Sequence, residues 1–124
     1  MALTFDILAV ASDQIHERRG RVQRIVGIRS EWFHHPKALC IPESVFINFS
    51  DAFRTSCARF DYYGYTEYSG DGITKLCMEL KNRPWAEKAK GRRARLETRA
   101  AIRQALAVAE RALVRKLSLL VLGI

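Results

Sequence analysis

The chain is poor in the residues that punctuate or staple a fold. Three prolines and seven glycines among 124 residues exclude a disordered or fibrous Pro/Gly-rich chain. The three cysteines, Cys40, Cys57 and Cys77, are an odd set with no close pair. That excludes a small disulfide framework and predicts reduced, mostly buried thiols in a reducing cytoplasm. There is no Cys-x-x-Cys and no His-x-x-x-His, so His34, His35 and Cys40, with His16, Cys57 and Cys77 further off, match no usual zinc spacing. No metal or cofactor is expected.

Long hydrophobic runs are missing as well. The C-terminal apolar run, 117–124, has eight residues, far below the ~20 that span a bilayer. Integral membrane association is therefore excluded, and an interfacial helix is the weaker alternative there. Residues 3–12 end in Ala9-Val10-Ala11, but no Lys or Arg precedes them and Asp6 interrupts them, unlike a signal peptide. No glycine-rich phosphate loop occurs; Gly70-Asp71-Gly72 reads as a turn. No motif surrounds a cysteine or histidine as nucleophile or base. Asp61, Glu67 and Asp71 lie on an expected loop with nothing to tune them as acids. No catalytic residue is assigned, and a non-catalytic protein is expected.

The most lopsided absence is acid in the C-terminal third. Residues 81–124 hold twelve Lys/Arg against three Asp/Glu, a net +9, whereas residues 1–80 hold nine against ten, a net −1. Segregated charge repels itself and adds little to a compact fold, so it points to a partner.

What is present is spaced for helices. Phe5, Leu8, Ser12 and Ile15 predict a first helix over 4–18. Val22, Ile25, Val26, Arg29 and Phe33, with Ile28 and Trp32 beside them, predict a second over 21–33. A strand over 22–28 competes, because Val and Ile favour sheets, but no partner strand is evident. His34-His35-Pro36 stops that helix. Pro42 and Glu43 suit a new first turn, and Val45, Phe49, Phe53, Cys57 and Phe60 predict a third helix over 43–61, with Phe46 to one side. A loop over 61–72 follows, then a fourth helix over 73–82 from Ile73, Leu76, Cys77 and Leu80. Residues 85–122 read as one long helix or two broken near Gly91. The expectation is a single all-α domain over 1–124, a small bundle of four to five helices with a long basic C-terminal helix.

On that last helix Lys88, Arg92, Arg95, Arg99 and Arg103 fall within about an 80° arc, a basic row roughly 22 Å long. Ile102, Leu106, Ala109, Leu113, Leu117 and Leu120 occupy nearly the same angle further on. The face is thus basic in its first half and apolar in its second, and the apolar half is expected to pack on the body. A row of guanidinium groups cannot enter a dry core without partners, so the basic half should project. Lys90 and Arg93 lie elsewhere around the helix and thicken the field. Arginine forks suit phosphate oxygens, and a row of them gives salt-dependent affinity without sequence choice.

A second candidate is the stretch 60–68, where Tyr62, Tyr63, Tyr65 and Tyr68 accompany Phe60. Such tyrosines can stack on unpaired bases, join a protein interface or simply close the open end of a bundle. The leading expectation is a cytoplasmic protein that binds DNA or RNA by its phosphate backbone, free or as a small subunit of a nucleoprotein complex with protein partners. The alternative is an adaptor or inhibitor, of the kind a mobile element encodes, that docks on an acidic protein surface.

Overall fold

The computed structural model describes residues 4–11, 15–18, 21–25 and 38–123. Its centre is a sheet, not a helical bundle. Strands β1 (Thr4–Val10), β4 (Leu39–Pro42), β5 (Tyr65–Tyr68) and β6 (Ser118–Leu122) form an antiparallel sheet in the order β4-β1-β6-β5. A separate two-stranded sheet pairs β2 (Ile15–Arg18) with β3 (Arg21–Ile25). The helices are α1 (Glu43–Phe46), α2 (Ser50–Ser56), α3 (Gly70–Asn82) and α4 (Arg92–Val114), with a 3-10 turn at Trp85–Lys88. The all-α expectation is therefore corrected to an α/β fold.

Each correction has a local cause. Residues 4–10 form strand β1 and not the expected helix, and they lack a strand's alternation because β1 is buried on both faces. Phe5 and Ile7 enter the core under the helices, while Leu8 and Val10 join Leu120 in a second cluster on the opposite face. A doubly buried strand loses its two-residue alternation and reads as a continuous apolar run. β3 covers the first part of the expected second helix. Its partner is β2, two residues upstream, and residues 26–37, with His34 and His35, lie outside the described residues. The end of the expected long helix is strand β6 instead: Ser118–Leu122 is a central strand paired to β1 and β5. The expected third helix is two short ones separated by a turn at 47–49, and the expected loop over 61–72 contains edge strand β5 and the start of α3. The expected fourth helix is α3, begun three residues earlier.

The register assigns the helix-facing side of the sheet. Phe5↔Ile41, Ile7↔Leu39, Ile7↔Val121, Ala9↔Leu119 and Tyr68↔Leu119 pair across it. Against them sit Phe46, Phe49 and Phe53 from α1, the turn and α2, all fully buried. Phe46 is the hub. It stacks on Phe5 with ring centroids 3.9 Å apart and meets Phe53 at 5.0 Å and Phe49 edge-on at 5.3 Å. The break between α1 and α2 lets residues 46, 49 and 53 all point inward, so Phe46 is central and not at the side. No disulfide joins the three thiols; Cys77 is buried, Cys57 is half-buried and Cys40 is exposed on β4.

Candidate nucleic-acid interface

Helix α4 is fixed at both ends by backbone geometry. At its start, Gly91 has φ 95° and ψ 157°, a region open essentially to glycine alone. This turn separates Lys88 from the helix. At its end, Lys116 is left-handed with φ 56°, Lys116 N–H donates to Leu113 O at 3.2 Å and Leu117 N–H donates to Ala112 O at 2.8 Å. That pair of bonds is a Schellman closure. It reverses the chain straight into β6, so the helix is tied to the middle of the sheet.

The face that seats α4 is made of small side chains. Thr98, Ala101, Ala105, Ala109 and Ala112 are its buried residues. Thr98 Oγ1 donates to Ala94 O at 2.8 Å and accepts from Asn48 Nδ2 at 3.1 Å, which ties the helix to the turn after α1. Ile102, Leu106 and Leu113 are half-buried flanks of this seam and pack against the core, so of the expected apolar stripe Ala109 alone lies in the seam itself. Its last two members have left the helix: Leu117 lies in the turn after it and Leu120 in β6.

The basic row survives in shortened form. Arg92, Arg95, Arg99 and Arg103 are exposed and fall within about an 80° arc, centred about 120° around the helix from the alanine seam. Their span is about 16 Å. Arg95 Nε donates to Ala89 O at 3.4 Å. Among the described residues, no ion pair or side-chain hydrogen bond engages Lys90, Arg92, Arg99 or Arg103. Lys90 lies in the connection before Gly91 and Arg93 on another side of the helix, where its Nε pairs with Glu97 at 3.1 Å. Lys88 belongs to the 3-10 turn. Its ammonium lies 3.4 Å from Asp51 and 4.9 Å from the centre of the buried Trp85 ring, so it is occupied as a clasp between α2 and the turn.

The tyrosines are dispersed. Tyr68 is in the core, and its hydroxyl donates to Phe53 O at 2.6 Å; burial pushes its phenol well above the ordinary range. Tyr65 is half-buried beside the Leu8–Val10–Leu120 cluster. Tyr62 packs edge-on to Phe5 at 4.9 Å with the Arg54 guanidinium 5.7 Å from its ring centre. Partial burial, then the Glu43 carboxylate, raises its phenol pKa. Tyr63 is 77% exposed and meets the Tyr62 ring edge-on at 5.2 Å. These contacts tie Tyr62, Tyr65 and Tyr68 to the fold.

A second basic element lies in the N-terminal half. Arg18, Arg19, Arg21 and Arg24 stand within seven residues, hidden because residues 1–80 sum to near neutrality. The structure places three of them, Arg18, Arg21 and Arg24, in the β2–β3 ribbon. Among the described residues, no group of three or more His, Cys, Asp or Glu is gathered to hold a metal, and no helix is long and apolar enough to cross a membrane. Comparison with family models, with curated proteins and with solved structures finds no match to this chain.

Proposed function

We propose that this chain binds nucleic acid by its phosphate backbone, without sequence preference, through the α4 face that carries Arg92, Arg95, Arg99 and Arg103. The observation that supports this most is that three of these four exposed arginines engage no ion pair or side-chain hydrogen bond among the described residues, although like charges held side by side repel. A rigid helix keeps them together, so the repulsion is built in. An anionic ligand relieves it, and guanidinium forks match phosphate oxygens in geometry as well as charge. A row of about 16 Å matches the rise of about five nucleotides along one strand.

The test is fluorescence anisotropy with a labelled 20-base-pair duplex. Arg92→Glu, Arg99→Glu and Arg103→Glu together should abolish binding and leave the helical circular-dichroism signal unchanged. Arg95 is left in place because it also bonds Ala89 O. The control reverses Arg93, Arg111 and Arg115, an equal charge change elsewhere on the chain, and should retain most of the affinity. Equal loss in both would mean that net charge, not this face, governs binding.

A further inference from the structure

The turn before β5 carries an aromatic side chain that the core does not use. Tyr63 is 77% exposed, and it leans edge-on against Tyr62 at 5.2 Å. Its backbone, in contrast, is held on several sides. Tyr63 N–H donates to Asp61 Oδ1 at 2.9 Å, and Asp61 N–H donates to the buried Thr66 Oγ1 at 2.9 Å. Gly123 N–H, just past β6, donates to Gly64 O at 2.6 Å. A Cβ at residue 123 would strike the carbonyls of Tyr62 and Gly64, so only glycine lets the chain approach the turn this closely. The turn is thereby tied to both β5 and β6. Tyr62 is fixed as well, with its ring edge-on to Phe5 at 4.9 Å and the Arg54 guanidinium 5.7 Å from its centre. A tyrosine on a fixed backbone has little conformational freedom left to lose when a flat ligand covers it.

The surrounding charges select the chemistry of that ligand. The carboxylates of Asp61 and Glu43 lie beside the two tyrosines, and they repel a phosphate there. A nucleic-acid base is flat and neutral. It stacks on aromatic rings whatever its sequence, and its face is open to a side chain where the base is unpaired. The two surfaces therefore suit the two chemistries of one strand, phosphates on α4 and a base on Tyr63. A short run of contacts joins them. Thr98 of α4 bonds Asn48, two residues after Phe46. Phe46 stacks on Phe5, and Phe5 meets Tyr62.

We propose that Tyr63 stacks on an unpaired base and gives the α4 site a preference for single-stranded over duplex nucleic acid, an inference that rests on the reading of α4 as a phosphate-binding face.

The test measures affinity by fluorescence anisotropy for a single DNA strand, the RNA strand of the same sequence, the DNA duplex, and a strand of abasic sites, at several salt concentrations. Tyr63→Ala should weaken binding of both single strands about 10-fold and of the duplex by less than about twofold, since paired bases offer no face. Its salt slope should match that of wild type, because no phosphate contact is lost. Tyr63→Phe keeps the ring and should keep the affinity. The abasic strand keeps the phosphates and lacks the bases, so wild type and Tyr63→Ala should bind it alike. The exposed position makes a folding defect separable, and the melting temperature of both variants should equal that of wild type. Unchanged single-strand affinity in Tyr63→Ala, or an equal loss on strand and duplex, overturns the stacking contact while the reading of α4 stands. A loss that appears on the abasic strand, or with one sugar and not the other, overturns it too. If the wild-type chain binds neither strand nor duplex, the reading of α4 fails with it.

Discussion

Replacing Ala109 by Leu tests how α4 is seated. Ala109 is fully buried in the seam that α4 presents to the body, in line with Ala105 and Ala112. Leucine adds three carbons where the interior is closed. Overpacking of this kind costs about 1–3 kcal/mol, and each kcal/mol lowers the melting temperature of a chain this size by about 3–6 °C. The expected fall is therefore about 3–18 °C, read by circular dichroism at 222 nm. Two comparisons calibrate it. Leu96→Ala, at a site 53% exposed, should change stability by less than about 0.5 kcal/mol. Leu106→Ala, at a half-buried flank, should fall below the 2–5 kcal/mol range of fully buried leucines, at about 1–2 kcal/mol. If Ala109→Leu is neutral or stabilising and Leu106→Ala is the costly change, the helix is seated on its large aliphatic side chains and the seam is misassigned.

Three further predictions follow from single residues. Lys116→Gly should raise the melting temperature by about 2–5 °C, because glycine removes about 0.5–1 kcal/mol of left-handed strain from the helix closure. Phe46→Ala should cost about 3–5 kcal/mol, measured by urea denaturation, since it empties the hub of the aromatic cluster; a loss below about 1 kcal/mol would show that Phe5, Phe49 and Phe53 pack without it. Cys40 should alkylate slowly despite its exposure. Partial burial first, then a hydrogen bond from the thiol to Asp6 and that residue's negative charge, push its pKa up to about 11. At pH 8 its thiolate fraction is then about 0.1%, roughly a hundredth of that at an ordinary thiol. Asp6→Asn should speed iodoacetamide labelling of Cys40, and an unchanged rate would leave burial as the sole cause.

Much of the α-helical half of the fold was legible in the sequence. Ile73, Leu76, Cys77 and Leu80 mark α3, and a break near Gly91 is one of the two readings that the sequence allows before α4. The sheet was not legible, for reasons that lie in particular residues. β1 and β6 are buried on both faces, so neither alternates in polarity. The end of α4 carries Lys116 in the left-handed position where glycine is the usual signal, so the helical pattern ran on through residues that form β6. β5 is short and tyrosine-rich and resembled a loop. The arginines of α4 were legible because helical spacing alone sets their arc. The seam was hidden for a simpler reason: alanine and threonine, not the neighbouring leucines, are what a helix presents when its backbone approaches its neighbours closely.

The most direct measurement is the salt dependence of duplex binding by the wild-type chain and by the Arg92→Gln, Arg99→Gln, Arg103→Gln variant. Each phosphate contact contributes about 0.9 to the slope of log K against log salt. The account predicts a slope shallower by about 3 in the variant, with the same melting temperature as wild type. Identical slopes for the two proteins would contradict it, because the α4 arginines would then release no counterions on binding.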